Sequence, residues 1–434
     1  MTDANVMLWG RRIGAVSWLN ERDIGVFQYA PEFVDSNIQV APLTMPLRET
    51  PYEFPALARG TFSGLPGLLA DSLPDKFGNA LIDAWLARIG RSPQSFNPVE
   101  RLCYLGERGM GALEFQPVMH QQYRRDFELD VAELVNLANQ VLRQRQQLSV
   151  TLTGKDDRAP IEDIIRVGTS AGGARAKAIV AWNSQTGEFR SGQVKQHTGF
   201  SHWLIKFDGV SGNRDKELAD PQGYGQIEYA YYLMAQNAGI NMSECRLHHE
   251  GGRAHFMTKR FDRTDGGQKL HMQSLGAMMH YDFNQAGAHS YEQALQVITK
   301  LDLTMAERKQ QFRRAVFNVL ARNQDDHVKN IAYLMDKAGQ WRLAPAFDIV
   351  YSYNPDGAWT GKHQMSVNGK RDEFVTSDLL ALAESTGIKA TLAKGIVDEV
   401  AEAVSDWPVF AAEAGVDERT VVKIKNTHRR LDEK

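Results

Sequence analysis

The polar stretch at residues 323–330, Asn-Gln-Asp-Asp-His-Val-Lys-Asn, constrains this chain more than any other part of its sequence. Two short strands are predicted after it, over residues 331–336 and 341–348, with a Lys-Ala-Gly-Gln turn between them. Asp325 stands five positions before Asn330. The same separation occurs in catalytic loops in which an Asp accepts a hydroxyl proton and an Asn holds magnesium. The hairpin then returns the chain to another acid, Asp348, whose carboxylate is a hard oxygen ligand of the kind that magnesium prefers.

Length and composition exclude several classes of protein. A chain of 434 residues is long enough for two or three packed lobes, and we place them at 1–120, 121–262 and 263–434. The net charge of −3 gives no overall attraction to nucleic acid or to an anionic membrane. The two cysteines, Cys103 and Cys245, lie far apart and cannot form a disulfide framework or a zinc site. With no signal-peptide pattern at the start and no segment as long as a membrane span, we expect a cytoplasmic protein without membrane contact.

Periodicity predicts strands in the first part of the chain and helices in the last. Residues 5–55 are β-rich in pattern, with strands over 6–9 and 13–18 joined by a glycine turn, and further strands over 26–29 and 38–42. Helices are predicted over 79–89, 130–147, 291–322, 377–385 and 390–414. Asp71 and Asp75 lie in a loop rich in Gly and Pro and are interpreted as loop caps.

A glycine-rich loop at residues 167–177 leads into a strand predicted over 178–182. Small residues let backbone N–H groups approach phosphate oxygens, and a lysine adds positive charge. The loop is neither a P-loop nor a Rossmann fingerprint, and a Gly-Gly pair alone is more often a simple turn.

Two further strands are predicted over 202–208 and 255–262. The first places Lys206 among apolar neighbours, where a lysine needs an anionic partner unless it lies at a sheet edge in water. Glu228, at the start of a helix predicted to end near residue 238, is a candidate for that partner.

Together these segments resemble the HipA-like serine/threonine kinases, the toxins of bacterial toxin–antitoxin modules. The resemblance covers nearly the whole chain, and its specific part is the Asp-x-His-x-Lys-Asn core with the Asp downstream of it. It implies an α+β fold that is bilobal and protein-kinase-like, with a β-rich N-terminal lobe, an extra N-terminal subdomain and a mostly helical C-terminal lobe. The segments that carry it are residues 67–75, 105–113, 167–177, 204–207, 228, 259–263, 323–330 and 343–348.

The resemblance also implies roles for individual residues. Asp325 would be the catalytic base, Asn330 and Asp348 would hold Mg2+, and Lys206 would contact the phosphates of ATP. The other ATP-binding positions would lie in the glycine-rich loop, the helix, the adenine hinge and the catalytic hairpin: Gly172, Gly173, Ala174, Arg175, Ala176, Lys177, Glu228, Lys259, Arg260, Phe261, His327, Val328, Lys329 and Phe347. Ser170 would be autophosphorylated, with Thr169 as the neighbouring alternative, and the added charge would switch the enzyme off.

For partners, the family's described activity implies an aminoacyl-tRNA synthetase as the protein substrate. A separate HipB-like antitoxin would bind the chain, and DNA would be contacted only through that antitoxin. Two positions depart from the family pattern: Asp326 stands where small residues also occur, and Lys259 stands where an acidic hinge residue can occur. We prefer Asp325 to Asp326 as the base because only Asp325 has the five-residue spacing to Asn330.

Three other functions fit parts of the sequence. A small-molecule kinase would share the same core, and a non-catalytic module would only hold an antitoxin and perhaps, through it, DNA. The intact set of Asp325, Asn330 and Asp348 argues against the non-catalytic module. A magnesium-dependent nuclease would use the acids and His327, but it leaves the glycine-rich loop and Lys206 unexplained.

Overall fold

The computed structural model describes residues 2–119, 129–145, 168, 175–192, 199–210, 214–215, 218–219, 223–264 and 266–431. Five of the predicted site residues, Thr169, Ser170, Gly172, Gly173 and Ala174, lie outside these ranges. Within them, every helix is too short or too polar to cross a membrane. Both Cys103 and Cys245 are buried free thiols.

The N-terminal part is built on an antiparallel sheet of four strands in the order β3-β2-β1-β4. Trp9 and Gly10, both with positive φ, form the tight turn between the first two strands, so the predicted hairpin is confirmed. The strand predicted over 26–29 is also confirmed, as part of β3. The strands are β1 (Thr2–Leu8), β2 (Arg11–Leu19), β3 (Ile24–Tyr29) and β4 (Leu113–Gln116), and the helices are α1 (Pro31–Val34), α2 (Arg59–Phe62), α3 (Gly67–Ala70), α4 (Lys76–Arg88) and α5 (Pro98–Leu105).

The strand predicted over residues 38–42 is wrong. Val40 and Ala41 are fully buried, as the apolar pattern indicates, but the segment forms bends and no ladder. The carbonyl of Val40 accepts a hydrogen bond from Nε2 of His271 at 2.9 Å, and the carbonyl of Gln39 accepts one from Nε1 of Trp341 at 3.1 Å. Side chains from a distant segment therefore satisfy backbone groups that a partner strand would otherwise bond.

A second antiparallel sheet has five strands in the order β10-β11-β7-β5-β6. Strand β7 is central, and Lys206 at its end is in register with Lys177 on one side and Phe256 on the other. The strands predicted over 178–182, 202–208 and 255–262 are confirmed, although the last two end earlier than predicted. The strands are β5 (Lys177–Trp182), β6 (Phe189–Ser191), β7 (Ser201–Lys206), β10 (Cys245–Glu250) and β11 (Arg253–Lys259), and β8 (Arg214–Asp215) pairs separately with β9 (Leu218–Ala219).

Helix α4 and a second helix, α6 (Val131–Arg145), pack against this sheet. Phe77 and Leu81 of α4 share one buried apolar cluster with Val135 of α6 and with Ala178 and Ile205 of the sheet. Both helices were predicted, but α4 begins earlier than residue 79. The N-terminal helix α4 and the five-stranded sheet therefore share one core.

The rest of the chain is mostly helical around one large core. A three-stranded sheet, in the order β12-β14-β15, contains the predicted hairpin and lies beside this core. The helices are α7 (Tyr224–Asn237), α8 (Leu275–Met279), α9 (Tyr291–Lys300), α10 (Met305–Leu320), α11 (Thr376–Glu384), α12 (Ala390–Ser405), α13 (Trp407–Glu413) and α14 (Glu418–Lys425). The strands are β12 (His271–Ser274), β14 (Ala332–Met335) and β15 (Trp341–Leu343), and β13 (His289–Ser290) pairs with β16 (Met365–Ser366).

Two helices predicted as continuous are interrupted. Between α9 and α10, Asp302 adopts a left-handed backbone, and Thr304 then forms a capping box with Glu307. Between α12 and α13 the chain turns at Asp406, and Pro408 occupies the first turn of the new helix. Proline fits a first helical turn but lacks the N–H that a helix interior needs, so the continuous prediction over 390–414 is wrong.

Candidate active site

A side-chain amide at the end of the loop that carries Asp325 bonds back to the start of the loop. It follows α10 through Arg322, which has a left-handed backbone, and ends in the 3-10 turn Val328–Asn330 that leads into β14. Nδ2 of Asn330 donates a hydrogen bond to the backbone carbonyl of Asp325 at 2.9 Å. The five-residue spacing therefore brings the two residues into direct contact.

The carboxylate of Asp325 is partly open to solvent, with 24% of its side chain exposed. Its Oδ1 accepts a hydrogen bond from Nε1 of Trp359 at 2.6 Å and lies 3.9 Å from Nε2 of His327. A donor on a carboxylate oxygen makes a charge-assisted bond and fixes the orientation of the group. The sequence did not identify Trp359, which lies in an aromatic, loop-like stretch beyond Asp348.

The neighbouring acid, Asp326, points into the protein interior. Its Oδ2 accepts hydrogen bonds from the hydroxyl of Tyr291 and from Nδ1 of His363, both at 2.8 Å, and its Oδ1 accepts the N–H of Gln364 at 2.8 Å. Burial opposes ionisation, but His363 and the other hydrogen-bond donors outweigh it and lower the pKa of Asp326. A buried carboxylate with this many donors cannot also reach a substrate hydroxyl, which supports the choice of Asp325 as the base.

Lys206, Glu228 and Asp348 meet although they are far apart in the sequence. Nζ of Lys206 donates to Oε1 of Glu228 and to Oδ1 of Asp348, each at 2.5 Å. Burial opposes the charged ammonium group, but Asp348 and Glu228 raise the pKa of Lys206 above its ordinary value. Burial likewise opposes ionisation of Asp348, but Lys206, with help from Lys177, lowers its pKa to about 2. Lys206 and Asp348 are therefore charged at neutral pH.

Two cations at the end of the glycine-rich loop lie beside this group. Nζ of Lys177, whose side chain is 2% exposed, is 3.2 Å from Oδ2 of Asp75. The guanidinium of Arg175 stacks 3.4 Å from the ring centroid of Tyr224 and lies 3.8 Å from Oε2 of Glu228. Asp75 also caps α4 by accepting the N–H of Gly78 at 2.6 Å, as its predicted capping role requires. Its contact with Lys177 was not predicted and ties the N-terminal part to the loop.

The predicted adenine hinge divides into two parts with different contacts. The N–H of Arg260 donates to the carbonyl of His202 at 2.9 Å, and its guanidinium donates to both oxygens of Asp262 at 2.9 and 2.7 Å. The same guanidinium reaches the carbonyl of Gly109 at 3.2 Å. The side chain of Arg260 therefore anchors the N-terminal part of the chain, and only its backbone adjoins the cleft.

Beyond Arg260, the ring of Phe261 packs against that of Phe347, with centroids 5.3 Å apart. These two predicted ATP-binding side chains form one apolar surface. On the other side of the cleft, Phe283 contacts two residues of the catalytic loop: its centroid is 5.3 Å from that of His327 and 5.1 Å from Nζ of Lys329.

Most of these residues face one cleft of about 650 Å³. Its volume is that of a small-ligand site, and its walls combine apolar rings with a few convergent charges. The N-terminal part contributes a wall that the sequence did not predict, including Gly60, Asp71, Asp75 and Arg101. Five other predicted residues are not part of the lining: Asp325, Arg175, Ala176, Lys177 and Val328. Of these, Ala176 and Val328 are buried in apolar clusters. The predicted residues in the lining are Lys206, Glu228, Lys259, Arg260, Phe261, His327, Lys329, Asn330, Phe347 and Asp348.

The family assignment follows from comparison with known proteins. The family model for the HipA-like C-terminal domain matches residues 169–407, and that for the HipA N-terminal domain matches residues 4–116. The chain belongs to the HipA family. A putative kinase of Haemophilus influenzae is 29% identical to this HipA-family chain over an alignment of 238 residues. The match covers 50% of this chain and 64% of the relative's own length.

One solved structure matches the HipA-family chain over nearly its whole length. It is the HipA toxin of Shewanella oneidensis in complex with HipB and operator DNA, which superposes with a TM-score of 0.67 at 18% identity. The superposition covers 98% of this chain and 95% of that toxin. It confirms the predicted α+β, kinase-like fold.

Proposed function

We propose that this HipA-family chain is an ATP-dependent serine/threonine protein kinase. The observation that carries the proposal is the meeting of Lys206 with Glu228 and Asp348, in the cleft that Asn330 also lines. Protein kinases bind the phosphates of ATP with a strand lysine that pairs with a helix glutamate, beside an aspartate that holds Mg2+. The hydrolases that would also use an acid and a metal do not require this lysine.

Mg2+ fits the residues at this site. Magnesium keeps several water ligands and takes one or two protein oxygens together with substrate phosphates. Asp348 supplies a carboxylate that stays ionised at neutral pH. Asn330 donates a hydrogen bond from Nδ2 to the carbonyl of Asp325, and its amide oxygen would be the atom offered to the metal. Across the ranges that the structure covers, no three acids, histidines or cysteines cluster as a metal site, and this chemistry does not need such a cluster.

In the proposed reaction, Asp325 accepts the proton of the substrate hydroxyl. The hydroxyl oxygen forms a bond to the γ-phosphorus of ATP while the bond from that phosphorus to the bridging oxygen breaks, and ADP leaves. Lys206 and the loop cation Lys177 hold positive charge beside the phosphates, and Mg2+ would neutralise further phosphate charge. Phe261 and Phe347 offer an apolar surface to adenine.

The finer parts of the proposal concern regulation and partners. Ser170, with Thr169 beside it, stands five residues before Arg175, whose guanidinium already contacts the Glu228 side of the cleft. Phosphate at Ser170 would therefore place charge next to the nucleotide site and inactivate the enzyme. We propose an aminoacyl-tRNA synthetase as the protein substrate, and a HipB-like antitoxin that mediates any DNA contact. The complex of the Shewanella toxin with HipB and operator DNA supports the antitoxin.

Phosphoproteomics tests the proposed function in cells. Phosphosites on Ser or Thr that accumulate when the chain is expressed, and not when Asp325→Asn is expressed, would identify the protein substrate. Equal phosphoproteomes, with labelled phosphate found only in a metabolite, would favour the small-molecule kinase instead.

A further inference from the structure

The segment of residues 359–364, which we call the clamp segment, is bonded to the catalytic loop. The N–H of Gln364 donates to Oδ1 of Asp326 at 2.8 Å, and Nε2 of Gln324 donates to the carbonyl of Thr360 at 3.0 Å. Gln324 and Gln364 are almost completely buried. Buried hydrogen bonds thus run in both directions between the clamp segment and the two residues that flank Asp325.

The clamp segment is also held from the C-terminal end of the chain. Nδ1 of His363 lies 2.8 Å from Oδ2 of Asp326, and Nη1 of Arg429 lies 2.7 Å from Nε2 of His363. Because an arginine can only donate, Nε2 of His363 must accept, and Nδ1 carries the proton that Asp326 accepts. Burial lowers the pKa of His363, and the positive charge of Arg429 lowers it further. Asp326 raises this pKa, but the net shift is downward. The imidazole is therefore neutral at neutral pH, as this order of donors and acceptors requires.

This scaffold fixes the position of Trp359. Nε2 of Gln364 donates to the carbonyl of Trp359 at 2.5 Å, and the indole Nε1–H then reaches Oδ1 of Asp325 at 2.6 Å. An indole N–H can only donate, so this bond requires Asp325 as its acceptor. A charge-assisted hydrogen bond to one carboxylate oxygen fixes the orientation of the group. A general base has to lie within hydrogen-bond reach of the proton that it accepts, so its orientation matters.

We propose that Trp359 is a positioning residue for phosphoryl transfer, holding Oδ1 of Asp325 so that the carboxylate meets the acceptor hydroxyl in the correct orientation. The inference rests on the proposed kinase function and deepens it. The inference also explains why an acid stands at position 326, where small residues also occur in the family. Asp326 anchors the segment that carries Trp359.

Trp359→Phe tests the inference because it keeps an aromatic ring and removes only the N–H donor. Trp341→Phe is the matched control: its Nε1 also donates one hydrogen bond, to the carbonyl of Gln39 at 3.1 Å, away from the catalytic loop. The reaction measured is transfer of the γ-phosphoryl group of radiolabelled Mg-ATP to the chain itself and to water. Binding of Mg-ADP is measured in parallel by calorimetry.

For Trp359→Phe we expect the rate at saturating ATP to fall about tenfold or more, while removal of a general base costs about 10²–10⁴-fold. The affinity for Mg-ADP and the ATP concentration at half-maximal rate stay at their wild-type values. A loss of rate at unchanged affinity for ATP and Mg-ADP is a change that a general loss of packing would not produce.

Two results would overturn the inference. One is a Trp359→Phe variant with the wild-type rate, or with no greater loss of rate than Trp341→Phe. The other is a loss of Mg-ADP binding in Trp359→Phe, which would make Trp359 a support of the nucleotide site. Absence of transfer by the wild-type chain would refute the proposed function itself, and the inference with it.

Discussion

Replacing Lys206 by Met should remove activity and also destabilise the protein. The ammonium group is the shared partner of Glu228 and Asp348, and the Glu228 side chain is only 2% exposed. Removing one partner of a buried ion pair costs about 3–5 kcal/mol, because the other charge stays buried without compensation. Asp348 keeps 33% of its side chain exposed, and Arg175 lies 3.8 Å from Glu228, so we expect the lower end, about 3 kcal/mol.

Thermal unfolding measures this loss directly. A destabilisation of about 3 kcal/mol corresponds to a fall in Tm of about 6–12 °C for domains of this size. The double variant Lys206→Met/Glu228→Gln also removes the uncompensated negative charge of Glu228. It should regain at least about 1 kcal/mol of this loss in stability and should remain inactive. Lys337→Met, in an exposed turn, is the control and should leave both Tm and phosphoryl transfer unchanged.

The outcome that refutes the reasoning is equally definite. A Lys206→Met protein as stable as the wild type would show that the three groups do not interact strongly. A double variant no more stable than the single one would show that the loss does not come from an uncompensated Glu228. Phosphoryl transfer by either variant would remove Lys206 from the proposed phosphate site.

Three more perturbations test other parts of the account. Asp262→Asn leaves the buried guanidinium groups of Arg260 and Arg263 without the carboxylate that both contact, so the free energy of unfolding in urea should fall by about 3–5 kcal/mol, and an unchanged value would refute the anchoring role. The pKa of Asp348 is lowered from 3.8 to about 2, so its contribution to stability is present above about pH 4 and is lost as the pH falls toward 2; the stability difference between wild type and Asp348→Asn should shrink over that window, and a constant difference would contradict the assignment. Ser170→Ala should abolish the phosphate detected by intact mass after incubation with Mg-ATP, unless Thr169 accepts it, and a phosphate outside this loop would contradict the proposed switch.

The contact of Asn330 with Asp325 and the convergence of Lys206, Glu228 and Asp348 could be predicted from sequence. The first follows from a five-residue spacing within one loop. The second joins segments that are far apart in the sequence, and it was expected because a lysine among apolar neighbours needs an anion and because these segments together resemble the HipA-like kinases. Hydrophobic periodicity also predicted which segments form strands and which form helices, because each element has a continuous buried face.

The features that the sequence did not predict depend on contacts between distant segments. The segment at 38–42 has the apolar pattern of a strand, but His271 and Trp341 bond its carbonyls. Trp359 and Asp75 become part of the active site only because the clamp segment and the start of α4 fold back onto the catalytic loop and onto Lys177. The break between helices α9 and α10 requires a left-handed backbone at Asp302. A glycine at that position would have marked the break in the sequence, but the residue is an aspartate.

The central claim is that this chain transfers the γ-phosphoryl group of ATP to a protein hydroxyl with Asp325 as the base. Incubation of the purified chain with radiolabelled Mg-ATP, followed by phosphoamino acid analysis, tests it most directly. The account predicts label on serine or threonine with the wild-type chain and none with Asp325→Asn, although both proteins bind Mg-ADP equally. Equal labelling by Asp325→Asn would contradict the assignment of the base, and no labelling by the wild-type chain would contradict the kinase.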